Sequence, residues 1–435
     1  MVMIKTLYVA SLASMLCAGQ LCAETWNLDQ CVDYAIEHNI TIKQRKVDVE
    51  SAEVSVTSAK SGYLPNVSAG VSQSWSLGRG LTSENTYANR NTSSTSWNAS
   101  MNISLFDGLA TPRQVSYAKA SLASALEQFE AAKEDVALNV ITAYLQVLYN
   151  KELHEVSLHQ VELSRYELTR QQALLEAGKI PEVDMLEAKS QLAQDELNVA
   201  TTANDTRLAL LDLSQLLELD DIEGFDVAPL EGDSRMLASP DDVYARALNI
   251  NHGLLAARSN IFAAERGITM AKSGYLPRLS FNAGIGSSYF TMSGVDSDPF
   301  RKQMKNNYST NFGFSLSIPI FDGLNTRNSV RRAKVQHLSA ELQYEQAEQN
   351  LYKTIQQAYY QADGAQKRLK ASEVARDVAQ QSFEAMREKY NIGRATPTEY
   401  EQAKTKALRT TAECIQARYE MIMRMRILDF YAEGF

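Results

Sequence analysis

Residues Thr95–Phe106 read TSWNASMNISLF, and the order of side chains in this stretch decides the architecture. Trp97, Ala99, Met101, Ile103 and Leu105 alternate strictly with Ser96, Asn98, Ser100, Asn102 and Ser104. Successive side chains of a strand point to opposite faces, so this is a β-strand, apolar on one side and small and polar on the other. The segment NYSTNFGFSLSIPIF (307–321) carries the same alternation through Tyr308, Phe312, Phe314, Leu316, Ile318 and Ile320. NVSAGVSQSWSL (66–77) and LSFNAGIGSSYF (279–290) repeat it, with Gln73 and Ser287 as the imperfections. Strands are therefore predicted over 66–77, 95–106, 279–291 and 307–321. Their length and one-sided polarity fit strands with lipid on one face and a polar lumen on the other. Trp75, Tyr289, Phe290 and Tyr308 near the strand ends suit an aromatic girdle. A soluble β-sandwich would set the apolar face against another sheet, and no further β pattern is present.

Four strands cannot close a barrel, since transmembrane barrels begin at about eight. An open edge cannot face lipid, because its backbone groups would have no partner there. Several copies must pool their strands, and three copies would supply twelve. The strands require an oligomer without setting its number.

Outward from the strands, the chain repeats itself. AKSGYLP occurs as Ala59–Pro65 and again as Ala271–Pro277, an offset of 212 that also pairs Asn39 with Asn251. SLFDGLATPR (104–113) matches PIFDGLNTRN (319–328) at an offset of 215, which also aligns Ala143-Tyr144 with Ala358-Tyr359, Gly178 with Gly393, and Ala188-Lys189 with Ala403-Lys404. A unit of about 200 residues is used twice, over 24–219 and 240–435, and two tandem copies are too few for a solenoid. The polar, Gly- and Pro-bearing stretch 220–239 reads as the linker.

Each unit opens on a predicted helix, 28–61 and 240–273, which the Gly and Pro of the SGYLP phrase end. A long helix follows each strand pair. Residues 113–177 contain neither Gly nor Pro, and Leu122, Leu126, Phe129, Ala132, Val136, Val140, Ala143 and Val147 recur at steps of three and four. At 1.5 Å per residue such a helix is on the order of 100 Å long. The matching 328–392 is interrupted only by Gly364. Returning helices over 182–219 and 398–431 complete two helical hairpins with coiled-coil seams.

Composition narrows the function. The 435-residue chain has a formal net charge of −9, which argues against nucleic acid as a partner. The start, with Lys5, an apolar core from Leu7 to Leu16 and small residues after it, reads as a secretory signal cleaved after Ala23. Cys17 and Cys22 follow Leu16 and Leu21, where a lipidation signal needs a small residue. The remaining Cys31 and Cys414 make neither a disulfide framework nor a metal set, and read as buried free thiols, with a bridge between them as the alternative. The histidines, His38, His154, His159, His252 and His337, show no ligand spacing, and no nucleophile signature or phosphate-cradling loop is present. The expectation is a protein that is not an enzyme and uses no cofactor.

The signal segment, the twofold repeat, the paired strands and the long hairpins resemble the TolC family of outer-membrane efflux proteins. The residues that carry the resemblance are the YLP junctions, the LFDGL and IFDGL strand exits, and the turns AGKIPEVDMLEA and IGRATPTEYEQA; it covers essentially the whole chain after residue 23. It implies a mainly α homotrimer with transmembrane β: a shared twelve-stranded outer-membrane barrel, four strands per protomer, continued by a periplasmic α-helical coiled-coil tunnel. It implies an exit duct in a Gram-negative outer membrane, working with a periplasmic adaptor and an inner-membrane transporter. A trimeric outer-membrane adhesin is the alternative, disfavoured because such proteins keep their barrel at the C-terminus, whereas here the strands lie within each repeat.

The resemblance places function at the hairpin turns. Gly178, Lys179, Gly393 and Arg394 are the implied adaptor-contacting tips. Asp184, Glu399, Tyr390, Arg394 and Gln402 are the implied periplasmic gate, with Tyr390 matching a tyrosine that ties neighbouring hairpins and Asp184 matching its acidic partner. Two positions depart from the pattern: Ala395 stands where the family has a basic residue, with Arg394 one before it, and Gln402 stands where a second acid is found. From the residues alone, Thr396-Pro-Thr-Glu399 is a capping box and Asp184 sits in a first helical turn, so helix capping competes with gating at both acids.

Overall fold

The computed structural model describes residues 25–81, 85–219, 224–230 and 237–434. The expected signal segment 1–23, with Cys17 and Cys22, lies outside the described residues, as do 220–223 and 231–236 of the expected linker. In chain order the elements are β1 (Thr25–Trp26), α1 (Leu28–His38), α2 (Ile40–Ser61), β2 (Asn66–Ser76), β3 (Arg79–Leu81), β4 (Tyr87–Asn89), β5 (Thr92–Phe106), α3 (Ala110–Glu176), α4 (Glu182–Leu217), β6 (Asp226–Val227), α5 (Pro240–Ile250), α6 (His252–Ala271), β7 (Arg278–Met292), α7 (Phe300–Asn306), β8 (Ser309–Ser317), α8 (Asn325–Asn391) and α9 (Pro397–Glu433). None of the described helices is long and apolar enough to cross a membrane. The described chain forms two compact units, one within residues 47–128 and 253–347, the other within 25–46, 129–252 and 348–434.

The first of these carries the sheet, in the order β2-β5-β7-β8 with every pair antiparallel. Polar side chains ladder across one face, as in Ser68 with Ser100 at 3.0 Å and Ser72 with Ser96 at 2.7 Å. On the other face Val67, Val71, Trp75, Phe312, Phe314 and Leu316 are exposed, the arrangement of a strand meant for lipid. β8 stops at Ser317, four residues short of the expected end, opposite Arg278, the first residue of its partner β7. Neither loop is featureless. One holds the β3–β4 hairpin; the other holds α7, where Gln303 exchanges two hydrogen bonds with the backbone of Phe290 and Asn307 donates to the Ser288 carbonyl at 2.7 Å. Side-chain amides here occupy the place of a further strand, which no periodicity announces.

The FDGL phrases turn strand into helix. Asp107 Oδ2 accepts from the Thr111 amide at 2.6 Å and Asp322 Oδ2 from the Thr326 amide at 2.7 Å, so each aspartate satisfies a first-turn donor. Gly108 lies so close to the second SGYLP phrase that a Cβ would sit 2.9 Å from the Ser273 carbonyl.

The helical unit corrects the two opening helices. Neither 28–61 nor 240–273 is continuous: Asn39 separates α1 from α2, and Asn251 separates α5 from α6. Asn39 leaves helical geometry, donates its amide to Ala35 and accepts from the Thr41 amide at 2.8 Å through its side chain, ending one helix and capping the next. A one-residue break barely disturbs the apolar phase, so the pattern reads as a single helix. The linker also contributes structure, since β6 pairs in parallel with β1. The hydroxyl of Tyr144, itself 1% exposed, donates across both strands to the carbonyls of Ala228 (2.7 Å) and Trp26 (3.1 Å). Cys31 and Cys414 are both buried and free.

Glu134, 8% exposed, lies 3.9 Å from His252 Nε2. Burial pushes its carboxyl up to about 7, with His252 pulling it partly back and Asp135 and Glu130 adding to the rise. The folded value lies above the unfolded carboxylate range, so this group supports folding at low pH and opposes it as pH rises towards and beyond about 7. Glu134→Gln should therefore stabilise the protein at pH 8 relative to pH 5, by on the order of 2–3 kcal/mol against wild type. Denaturation followed by circular dichroism at the two pH values checks this; parallel curves would contradict it.

Candidate functional site at the hairpin turns

Both turns are built alike. In the first, the Gly178 amide donates to the Leu175 carbonyl (2.9 Å) and the Lys179 amide to Leu174 (2.9 Å); in the second, Gly393 donates to Tyr390 (3.0 Å) and Arg394 to Lys389 (2.8 Å). This is the Schellman helix ending, which needs a left-handed residue, and Gly178 and Gly393 have φ of +67° and +71°. A Cβ at either would meet nothing within 4 Å, so the backbone conformation alone calls for glycine. Gly178, Lys179, Gly393 and Arg394 are all exposed.

The return helices begin differently. In α9, Thr396 and Glu399 form a complete capping box: Glu399 accepts from the Thr396 amide at 2.8 Å, and Thr396 Oγ1 accepts from the Glu399 amide at 3.3 Å. These bonds from Thr396 hold the Glu399 carboxyl below the usual carboxylate range while leaving it exposed. In α4 the preceding Pro181 offers no side-chain cap, and half-buried Asp184 stands in the first turn, where its charge favours the helix dipole.

Tyr390 joins the two hairpins. Its ring stacks on Tyr400 with centroids 4.7 Å apart and carries the Arg170 guanidinium 4.8 Å above it. Phe383 and Ala407 complete the buried cluster, and Leu163 of the first hairpin packs against it. The hydroxyl accepts from Gln171, whose amide also donates to Glu167 at 2.7 Å. Burial, reinforced by the Glu167 charge, pushes the phenol up to about 12, so it stays a neutral donor. Asp184, the partner the family pattern implies, lines the same cleft of about 500 Å³, as does Gln402, but within this chain the hydroxyl is engaged by Gln171 instead. Arg394 and Glu399 do not reach the cleft.

Above this cluster lies a buried polar group absent from the sequence-based candidates. Lys404 and Asp195, 3% and 4% exposed at their side chains, approach to 3.7 Å. Lys404 donates to Ser164 at 2.8 Å, and Ser164 in turn donates to Asp195. Gln160 (3.2 Å) and Gln191 (3.0 Å) also donate to Asp195, while Glu401 lies 3.6 Å from Lys404. One signal was present: Lys404 falls in helical phase with Tyr400, Ala407 and Cys414, a charge within an apolar stripe.

Among the described residues no group of His, Cys, Asp and Glu is placed to hold a metal ion. The site has polar ties between the hairpins and exposed turns at their ends.

Comparison with known proteins accords with this geometry. The pattern of the outer membrane efflux protein family matches residues 31–218 and again 243–429. The chain is 20% identical over 390 residues to the outer membrane efflux protein BepC of Brucella suis, covering 89% of this chain and 81% of that one. It is 24% identical over 407 residues to the outer membrane protein TolC of Escherichia coli, covering 91% and 80%. Its fold matches the crystal structure of the outer membrane protein VceC of Vibrio cholerae with a TM-score of 0.76 at 16% identity, over 94% of this chain and 96% of that one. The chain belongs to the outer membrane efflux protein family, the TolC family, and is a non-enzymatic exit duct of the outer membrane with a large periplasmic part.

Proposed function

We propose that three copies of this chain pool their sheets into one twelve-stranded barrel, and that their helical hairpins line a tunnel through which an inner-membrane transporter, joined by a periplasmic adaptor, exports its substrates. The observation that carries this is the four-stranded sheet itself: it is apolar on one face, polar on the other, and ends in two unpaired edges, β2 and β8. Such edges are incompatible with lipid unless another copy covers them. Exposed Gly178, Lys179, Gly393 and Arg394 are the surface offered to the adaptor. Asp184 and Glu399 would each appear three times around the axis, forming a carboxylate ring that favours cations, with Gln402 a neutral neighbour. Tyr390, held by Gln171, Glu167 and Arg170, keeps the hairpins together in the closed tunnel. Outer-membrane lipid meets the apolar strand face; nucleic acid has no part. The surface-adhesin reading is not favoured, because the family pattern runs through both repeats.

The molar mass of the protein extracted from outer membranes in mild detergent, corrected for bound detergent by multi-angle scattering, is expected to equal three protomers. A monomer, or a protein soluble without detergent, would remove the shared barrel and the duct with it.

A further inference from the structure

The internal repeat does more than require a partner; it specifies how the partner pairs. Residues of β2 correspond to those of β7 at the offset of 212, and residues of β5 to those of β8 at 215. These offsets can be checked within the chain. In the first hairpin Asn66 pairs with Asn102 and Ala69 with Ala99. Adding 212 to the first member and 215 to the second gives Arg278 with Ser317 and Phe281 with Phe314, which are the observed pairs of the second hairpin. The two hairpins have the same register.

The remaining contact in the sheet, β5 against β7, joins one repeat to the next. Its counterpart joins β8 to a β2, which within one chain lies at the opposite edge of the sheet. Applying the same offsets, Trp97·Ser287 becomes Phe312·Trp75, Met101·Ala283 becomes Leu316·Val71, and Ile103·Phe281 becomes Ile318·Ala69. Each derived pair sets apolar against apolar. A slip of one residue would set each against a polar neighbour and turn it to the wrong face.

Exposure marks the same boundary. Met101 and Ala283 are half-buried by their neighbours, whereas their counterparts Leu316 and Val71 are 61% and 79% exposed. The junction beside the sheet behaves alike. Gly108 abuts the Ser273 carbonyl and Leu276, while a Cβ at its counterpart Gly323 would meet only the nearby Asn325 side chain, at 4.0 Å, and the counterpart Leu64 is 67% exposed. The early end of β8 also follows. Ile103, Ser104 and Phe106 of β5 pair only with β7, so their counterparts Ile318, Pro319 and Phe321 have their pairing partners on β2 of the next copy.

We infer that β8 of each copy pairs antiparallel with β2 of the next copy with Phe312 opposite Trp75, Ser315 opposite Ser72 and Ile318 opposite Ala69, extending β8 through residues 318–321. Gly323 of one copy then packs against the Leu64 junction of the next. This rests on the shared-barrel reading and adds the register to it.

Disulfide trapping tests it in the full-length protein in outer membranes. Ser72→Cys with Ser315→Cys places two cysteines directly opposite one another. Directly opposed Cβ atoms lie about 4.5–5.5 Å apart and diagonal ones about 7–8 Å. A disulfide needs roughly 3.5–4.5 Å, so neighbouring registers are distinguishable. Within one chain β2 and β8 are three strand spacings apart, about 14 Å, and cannot bridge. Oxidation should convert most of this variant to a covalent trimer on a non-reducing gel, while the same-face pairs Ser72→Cys with Ser317→Cys and Gly70→Cys with Ser315→Cys remain largely monomeric. Trapping at either shifted pair instead, or at none while the reduced variants have trimer mass, overturns the register and leaves the ring standing. Monomer mass in the wild-type protein overturns the ring reading, and the register falls with it.

Discussion

Asp195→Ala is expected to destabilise the paired hairpins by about 3 kcal/mol, at the lower end of the cost of breaking a buried ion pair. The substitution leaves the Lys404 ammonium, 3% exposed at its side chain, with Ser164 at 2.8 Å and the partly exposed Glu401 at 3.6 Å as its remaining partners. Glu401 keeps the loss from reaching the upper end of the range. Gln160, Ser164 and Gln191 lose their shared acceptor at the same time. The penalty comes from the orphaned charge, not from the worth of the pair, and a second variant separates the two. Asp195→Asn combined with Lys404→Met removes both charges while keeping an acceptor for Ser164 and Gln160. That variant should lie within about 1–2 kcal/mol of wild type, because a buried pair roughly balances its own desolvation. Thermal unfolding monitored by circular dichroism in detergent ranks the three proteins. Equal losses for the single and double variants would show that the network acts through its hydrogen bonds and not through charge.

Loosening the tie at Tyr390 should act on conductance. Tyr390→Phe removes the hydroxyl that accepts from Gln171, and Arg170→Ala removes the guanidinium from the ring face. A neutral hydrogen bond contributes about 0.5–1.5 kcal/mol and a cation–π contact about 0.5–2. A combined loss of about 2 kcal/mol would shift the closed-to-open balance roughly thirtyfold. Single channels of the double variant in planar bilayers are expected to spend far more time in a high-conductance state than wild type. Adding Asp184→Ala asks whether that acid contributes to the closed state across the ring, where a ring of three carboxylates would also set cation preference. Conductance unchanged in both variants would remove the tie and leave Tyr390 as a packing residue.

The candidate site was only partly legible in the sequence. Gly178, Gly393 and the capping box at Thr396–Glu399 follow from local chemistry, because a helix must end and begin within a few residues of sequence. Tyr390 stood out by its place before the turn, but its partners Gln171, Glu167 and Arg170 lie more than two hundred positions away, and nothing local names them. Asp195 and Lys404 were less visible still. Each is one of many charges on a long helix, and only the packing of two hairpins shows that this pair has lost its water. Asn39 and Asn251 illustrate the opposite failure: a break one residue long leaves the apolar phase nearly intact, so periodicity passes over it.

By itself the sequence determined the order of strands and helices, their doubling and the two-faced character of the sheet. Those properties are written in nearest-neighbour alternation, in helical periodicity and in self-similarity, all of which survive without coordinates. The proposal that several copies pool their strands starts from the same alternation, since backbone edges cannot be left in lipid. Tertiary structure decided which groups meet: the hydroxyl of Tyr390 with the first hairpin, Lys404 with Asp195, and β5 with β7 in one register. Such pairings depend on distances between residues far apart in the chain, and burial, not residue type, sets how strongly each of them acts.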